Sequence, residues 1–507
     1  MPFSTEALVP KMAAWKPFRL LVVGDFMLDQ ALSGAAERLS PDAPVPVLLC
    51  RGREDLEETA GGASNVALCA AALGATVHCV GVTGGDAEAQ SLRALLKAGG
   101  CASEHLVEDA SRPTTVKRSL IGLAQHRHPQ KMFRLDMESR EPISPQIEAR
   151  LLAAIDAALP ACDIVCLEDY GKGVCTPALC AELIRRCRAA KKRVLVDPAA
   201  ISDYGKYKGC TAVTPNRTEA EQVTGLRCDS GFDASTLRTI SDRLLRQLEM
   251  EAVVLTLDRH GALLGLPGSE PVHVPTLARK VYDVTGAGDM VLAALAGALM
   301  NGFSWLEAVQ LANVAAGLEV EVFGARPIPL AQIRTQVLLQ AGHLAGKIRA
   351  RADLAVELEA RRAAGQRVVF TNGCFDVLHA GHVASLREAR SLGDCLVVAL
   401  NGDASVRQLK GHDRPVFPLA QRMEVMEALE CVDFVTWFDE PTADATLLAA
   451  RPHVYAKGGD YRAEQIPEMG VVKQIGAELS ILGLRPGLST TSAIHRIRGE
   501  HAGMARS

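Results

Sequence analysis

The seven residues Asp283-Val284-Thr285-Gly286-Ala287-Gly288-Asp289 run directly into an apolar stretch of helical spacing, Met290–Met300. Side chains this small let successive backbone N–H groups converge on one point at a helix N-terminus. Thr285, Gly286, Ala287 and Gly288 are therefore candidates for an anion hole facing a transferring phosphoryl group. Asp289 follows at once, placed to accept the proton of an attacking sugar hydroxyl. A bare GxGD would better suit a tight turn with a capping aspartate. The flanking Asp283 and Thr285, and the segments upstream, tip the reading toward catalysis.

Upstream, Gly24-Asp25 closes a strand-like run, Asp29 lies shortly after it, and Gly61-Gly62-Ala63-Ser64-Asn65 opens a helix-like one. Carboxylates at the C-terminal end of a strand can accept hydrogen bonds from sugar hydroxyls, and paired glycines let a ligand approach the backbone. Asp25 and Asp29 are sugar-binding candidates on that ground. Asp169-Tyr170-Gly171-Lys172-Gly173, Asp197-Pro198 and Thr214-Pro215-Asn216-Arg217-Thr218-Glu219 follow in order. Each alone is a turn or a cap. No GxxxxGKS/T loop occurs, which excludes a Walker-type ATPase.

A second constellation lies in the other half. Thr371-Asn372-Gly373-Cys374-Phe375-Asp376-Val377-Leu378-His379-Ala380-Gly381-His382 follows a strand-like run and precedes the helical Val383–Ala389. Two imidazoles at a helix start can both reach an anion held there, stabilising the crowded negative charge as a phosphate oxygen attacks a nucleotide's α-phosphorus. Paired histidines can also ligate zinc, but no third ligand of suitable spacing stands near, and no structural zinc is expected. Lys410-Gly411-His412-Asp413-Arg414-Pro415 supplies cations, and Ser489-Thr490-Thr491-Ser492 offers hydroxyls and free N–H groups before another short helical run.

The elements that must position these groups alternate. Arg19–Val23, Val77–Val82, Asp163–Leu167, Arg193–Val196 and Ala252–Leu257 read as buried strands. Ala63–Leu73, Ala87–Lys97, Ala178–Ala190 and Ile240–Leu248 have helical spacing between them. This is the pattern of an α/β fold, a mostly parallel sheet covered by helices on both faces. Gln332–Ala364, rich in Ala, Leu, Arg and Glu and free of Pro, reads as helix. A new strand series then opens with Arg367–Phe370 and continues through Cys395–Leu400, Phe434–Trp437, Val454–Ala456 and Leu479–Leu482. The expected domains are 1–330, a helical linker 331–364, and 365–507.

Bulk properties narrow the class. A chain of 507 residues suits more than one core. Lys and Arg total 55 against 59 Asp and Glu, a net charge of −4 that argues against nucleic acid or anionic membrane as partner. The 14 cysteines are scattered through apolar runs and form no paired CxxC clusters, as expected of small core residues in a reducing compartment. No uncharged apolar stretch reaches the ~18 residues of a membrane span, and the first residues lack a signal-peptide h-region. A cytoplasmic location is expected.

The motifs of the first half resemble the ribokinase/PfkB family of sugar kinases over roughly residues 18–325. The resemblance implies a ribokinase-like domain with a small β lid, for which residues 30–60 are the candidate. It makes Asp289 the general base and Gly286–Gly288 the anion hole. It places Asn216, Arg217, Thr218 and Glu219 near ATP, with Mg2+ near Glu219, and Asp25, Gly61, Gly62, Asn65 and Lys172 around the sugar.

The second half is similar to the cytidylyltransferase-like nucleotidyltransferases, Rossmann-like domains, over roughly residues 365–498. His379 and His382 match the HxGH signature. Ser489, Thr490, Thr491 and Ser492 match the terminal Ser/Thr motif more loosely, since two threonines interrupt its serine spacing. Gly373, Phe375, Asp376, Lys410, Arg414 and Lys457 would join them around the nucleotide.

The pairing of the two resembles the bifunctional heptose-phosphate kinase/adenylyltransferases of Gram-negative lipopolysaccharide synthesis. Arg38–Val47, Pro418–Met423 and Lys457–Tyr461 fit that resemblance. It implies ATP-dependent phosphorylation of D-glycero-β-D-manno-heptose 7-phosphate at C1, then adenylyl transfer from ATP to the 1-phosphate sugar, giving ADP-heptose and pyrophosphate. A separate phosphatase must act between them, because no DxDxT/V nucleophile is present. Families with this kinase fold often pair through the lid, so a homo-oligomer is expected by analogy. Alternatives are another sugar phosphate or CTP at the second site, or one half reduced to a non-catalytic nucleotide-binding module.

Overall fold

A computed structural model describes residues 5–123, 129–228, 233–276, 283–321, 324–341, 346–363, 365–458 and 466–483. The chain divides into two units, Met1–Ile333 and Arg334–Ser507.

In the first unit the apolar runs become strands buried on both faces. In chain order the strands are β1 (Phe18–Gly24), β2 (Phe26–Leu39), β3 (Pro46–Leu49), β4 (Leu56–Gly62) and β5 (Ala75–Thr83). They continue with β6 (Leu106–Glu108), β7 (Thr115–Leu123), β8 (Gln130–Met137), β9 (Ile164–Glu168) and β10 (Arg193–Asp197). The series closes with β11 (Ala212–Val213), β12 (Ala252–Thr256), β13 (Ala262–Gly265) and β14 (Val272–Val274). A nine-stranded sheet has the order β14-β13-β12-β11-β10-β9-β1-β5-β6. Its pairs are parallel except for β12–β13 and β13–β14. All five β9 residues are buried, as a central strand covered on both sides requires.

The covering helices carry the expected period. Ala234–Leu248 starts at an Asp233 cap and buries Leu237, Ile240, Leu244 and Leu248 on one face. Truncating any of these to Ala would cost about 2–5 kcal/mol. All described cysteines are free thiols, and all but Cys50, Cys374 and Cys431 are buried. No helix among the described residues is long and apolar enough to cross a membrane.

A second sheet has the order β3-β2-β7-β8, with β4 also on β2. The first half of β2 pairs antiparallel with β4, its second half with β3, and β7 runs parallel along it. Residues 30–60 supply only part of this sheet. Strands β7 and β8 were not expected: most of their side chains are half-buried or exposed, so no apolar run marks them.

In the second unit, β15 (Val368–Gly373), β16 (Cys395–Asn401), β17 (Phe434–Phe438), β18 (Val454–Lys457) and β19 (Glu478–Ile481) form a parallel sheet ordered β17-β16-β15-β18-β19. Alternation sends Phe370, Val397 and Tyr455 to one buried cluster and Val369, Val398 and Ala456 to the other. Helices therefore cover both faces, as in a Rossmann-like layer structure.

The single helix expected over Gln332–Ala364 is instead two, Leu330–Gln340 and Arg351–Ala363. Gly346 has a φ of 71°, and Ile348 bridges to Val435 of β17 while the Arg349 N–H donates to the Val435 carbonyl at 2.8 Å. Sheet pairing overrides a helical composition here.

Candidate active sites

Three parallel strands of the first unit bring carboxylates to one end of the sheet. Register sets Gly24 beside Glu168 and Glu168 beside Asp197. Glu168 is fully buried and neither of its carboxylate oxygens has a hydrogen-bond partner. Burial, then the Asp197 charge, raises its pKa far above the usual carboxylate range. Asp197 accepts from the Thr214 hydroxyl at 2.9 Å and is itself pushed up to about 8, by burial first and by Glu219 next.

Asp25 follows β1 directly. Its Oδ2 accepts the backbone N–H groups of Tyr170 at 2.8 Å and Lys172 at 3.1 Å, while Oδ1 is buried without a partner. Burial, helped by Asp169, raises its pKa to about 6. Lys172 thus reaches Asp25 through its amide; its ammonium is ion-paired with Glu138. Asp29 lies against Gly61, where an added Cβ would come within 2.7 Å of Asp29 Oδ1. A larger residue there would have to displace the Asp29 carboxylate.

Asp289 is the third residue of the Ala287–Met300 helix and only 3% exposed. Asn65 donates to its Oδ2 at 2.7 Å and the Tyr170 hydroxyl to its Oδ1 at 3.2 Å. Burial raises its pKa to about 7, against those two hydrogen bonds. Gly286 precedes the helix at a φ of 90°, a conformation that favours glycine. A Cβ there would meet Glu319 Oε1 at 2.6 Å and Asn65 Nδ2 at 2.9 Å. Behind the turn, Asp283 accepts from both the Thr285 N–H and its hydroxyl, at 3.1 and 2.7 Å. Thr285, Gly286, Ala287 and Gly288 thus stand at the helix entrance beside Asp289.

The Asn216–Glu219 segment caps a helix. Asn216 accepts from the Glu219 N–H at 3.0 Å and Glu219 accepts from the Asn216 N–H at 2.9 Å, a reciprocal capping box. Arg217 pairs with Glu221 and Asp258, and Thr218 is exposed. Site residues not identified from sequence are Glu168, Tyr170 and Glu319. A glutamate ending the apolar run Ile164–Leu167 was the available signal for the first. Glu319 gave none, since its place behind Gly286 is made only by the fold.

In the second unit, His379 is the N-cap of the Ala380–Arg390 helix, its Nδ1 accepting the Gly381 N–H at 3.1 Å. That bond leaves the proton of the neutral ring on Nε2. The His379 and His382 rings stack with centroids 3.9 Å apart, and Phe375 packs edge-on to His382 at 5.4 Å. Burial, then His379 and Lys410, lowers the His382 pKa to about 4. Burial also lowers His379. Both imidazoles are therefore neutral hydrogen-bonding groups at pH 7.

Asp376 follows Phe375 in the loop before this helix. It holds the Arg414 guanidinium and accepts the N–H groups of Val416 at 2.6 Å and Phe417 at 3.3 Å. Arg414 Nη2 is buried without a partner. Lys410 ends the Asp403–Lys410 helix. Lys457, at the end of β18, donates to Asn372 Oδ1 at 2.8 Å, next to Gly373 on β15. Arg422, also missed, is buried and donates to the carbonyls of Cys374 at 2.7 Å and Asn401 at 2.9 Å, bracing the loop before the histidines. Ser489, Thr490, Thr491 and Ser492 lie outside the described residues.

Residues 18–331 match the pfkB family of carbohydrate kinases and residues 370–496 the cytidylyltransferase-like family. Bifunctional protein HldE of Pelobacter propionicus is 40% identical over 477 residues, covering 94% of this chain and 95% of that one. HldE of Geobacter sulfurreducens is 42% identical, with the same coverages. HldE of Hahella chejuensis is 41% identical over 480 residues, covering 95% and 97%. The chain belongs to the HldE family. It is a bifunctional transferase, a heptose-phosphate kinase joined to an adenylyltransferase in ADP-heptose synthesis. Both halves belong to ATP-utilising families.

The fold of the first half has counterparts among solved structures. Arabidopsis thaliana ribokinase, solved with ribose and ATP, superposes with a TM-score of 0.50 at 20% identity, over 64% of this chain and 99% of that one. Phosphofructokinase-2 of Escherichia coli, solved with substrates and products, gives 0.52 at 18%, over the same shares.

Proposed function

We propose that Asp289 is the general base of the kinase and that His379 and His382 stabilise charge in the nucleotidyl transfer. The observation that carries the first assignment is a buried carboxyl poised near pH 7 at a helix start, held by Asn65 and Tyr170. Such a group accepts a proton at neutral pH without being fully protonated or a weak base. The C1 hydroxyl of D-glycero-β-D-manno-heptose 7-phosphate would give its proton to Asp289 as its oxygen attacks the γ-phosphorus of ATP. Backbone N–H groups of Gly286, Ala287 and Gly288 meet the charge of the transferring group, and ADP leaves. Asp25, Asp29, Asn65 and the Lys172 segment hold the sugar.

The residues present suit Mg2+. Oxygen atoms of Glu168, Asp197 and Asp289 lie within 4.8 Å of one another, and the Glu168 oxygens are unpartnered. Hard carboxylate donors fit that ion. Glu168 and Asp197 would hold it, with Glu219 near enough to act on Asp197. Bound there, Mg2+ would neutralise phosphate charge.

At the second site, an oxygen of heptose 1-phosphate attacks the α-phosphorus of ATP and pyrophosphate departs. His379 donates from Nε2 and His382 stands beside it, while Arg414 and Lys410 supply positive charge and Lys457 orders the end of the sheet. Ser489–Ser492 complete the nucleotide site by resemblance.

A separate phosphatase must remove the 7-phosphate between the steps. The expected location is the cytoplasm. The lid sheet exposes Phe133 and Leu135 on one face of β8, and apolar surface of this kind supports pairing of two chains. Mass spectrometry of products from heptose 7-phosphate, ATP and Mg2+ tests the whole reading. The 1,7-bisphosphate should accumulate alone, and ADP-heptose should form only when a phosphatase is added. ADP-heptose from the purified chain alone would overturn it.

A further inference from the structure

We propose that His78, Glu104 and His105 form a binding site for a divalent transition-metal ion of the zinc class, separate from both active sites. His78 lies on β5, and Glu104 and His105 form the turn that leads into the edge strand β6. One ligand atom from each lies within 4.8 Å of the other two. The two imidazole rings are 6.3 Å apart between centroids, and His105 Nε2 is 4.0 Å from the Glu104 carboxylate. His78 Nδ1 is a buried ring nitrogen with no hydrogen-bond partner. A nitrogen in that condition is costly unless something occupies it.

The backbone that carries the three groups is pinned on each side. The Ala102 N–H donates to the Val77 carbonyl and the Cys79 N–H to the Ala102 carbonyl, both at 2.9 Å, bracketing His78. Arg93 donates to the Ser103 carbonyl at 2.9 Å and to the Leu106 carbonyl at 3.0 Å, clamping both ends of the turn. Arg93 also donates to the Thr83 hydroxyl at 3.4 Å. The side chains themselves remain adjustable: that of Glu104 is 62% exposed and that of His105 26%.

Two imidazoles and one carboxylate are the donors that zinc, nickel and copper prefer to magnesium. Metal–ligand bonds of about 2.0–2.2 Å need the three atoms to close to roughly 3.3 Å. Rotation of the exposed Glu104 and the half-buried His105 side chains can supply that closure, and water would complete the shell. The sequence reading expects no structural zinc because no CxxC clusters or spaced ligand set appear. Here strand pairing makes the set, from residues that chain spacing does not unite. Binding would tie the three-residue edge strand β6 to β5.

The test uses the full chain, stripped with chelator and free of nucleotide, titrated with Co2+ by visible absorbance and with Zn2+ by calorimetry. Wild type should bind one equivalent more than His78→Ala or His105→Gln, and Glu104→Gln should bind it more weakly. The zinc-dependent rise in unfolding temperature should disappear in the same variants. Equivalents at other carboxylates or at His379 and His382 persist throughout and cancel in the comparison. Glu104→Gln and His105→Gln change side chains of a surface turn, and unchanged kinase and nucleotidyl-transfer turnover with ATP and Mg2+ verifies that both variants fold. Identical stoichiometry, affinity and cobalt spectrum in wild type and in these two variants would overturn the proposal.

Discussion

Asn65 and Asp289, 224 positions apart in the chain, share a buried hydrogen bond of 2.7 Å. The bond stabilises the ionised carboxylate and so opposes the burial that raises its pKa to about 7. Removing the donor must raise that pKa further. A carboxylate base is active when deprotonated, so kinase turnover rises with pH through the Asp289 titration. In Asn65→Ala this acid limb should move to higher pH, with turnover at pH 7 reduced and partly restored under alkaline conditions. Profiles of kcat/KM against pH check it. An unmoved limb with a uniformly lower plateau would assign Asn65 to the sugar alone.

Asp289→Asn keeps the size of the side chain and removes the base. Kinase turnover should fall by about 10²- to 10⁴-fold, the usual contribution of a positioned acid or base. Adenylyl transfer to supplied heptose 1-phosphate should be unchanged. Coupled loss of both activities would contradict two independent sites.

The elements that hold these sites were largely legible because their physics is local. A strand buried on both faces must be an apolar run, and β1, β9 and β16 are such runs. The HxGH pair reads directly because both histidines sit at one helix start. What was not legible depends on partners distant in sequence. Strands β7 and β8 have solvent on much of their surface, so nothing in their composition separates them from loop. Asp376 has the residue type and the spacing of a ligand, yet the fold spends it on Arg414 and two backbone amides. The break between Gln340 and Arg351 combines a local signal, Gly346 in the left-handed region, with a pairing of Ile348 to β17 that depends on a strand distant in sequence.

The two activities should respond to pH differently in one preparation. With His382 lowered to about 4, that imidazole does not change charge between about pH 6 and 8, and burial lowers His379 as well. Adenylyl transfer should therefore show no His382 limb in that range, while the kinase limb falls near pH 7. His382→Ala should cut adenylyl transfer by about 10²- to 10³-fold, as loss of a charge-stabilising donor does. A limb near pH 6.5 that vanishes in His382→Ala would show that the imidazolium is the working form.

Positioning and chemistry fall to different residues at the second site. The Asp376 side chain is fully buried, and its carboxylate satisfies Arg414 together with the N–H groups of Val416 and Phe417. Asp376→Ala leaves a largely buried guanidinium without its anion, a change that costs about 3–5 kcal/mol where such pairs are broken. It also frees the loop that presents Arg414. ATP binding in the adenylyl transfer should therefore weaken, with KM rising more than kcat falls, because His379 and His382 stay in place on their helix. Asp376→Asn retains one acceptor for the backbone amides and should lie between wild type and Ala in stability. The KM for ATP in the kinase reaction should not change in either variant. A loss confined to kcat would instead place Asp376 among the groups that touch the reacting phosphates.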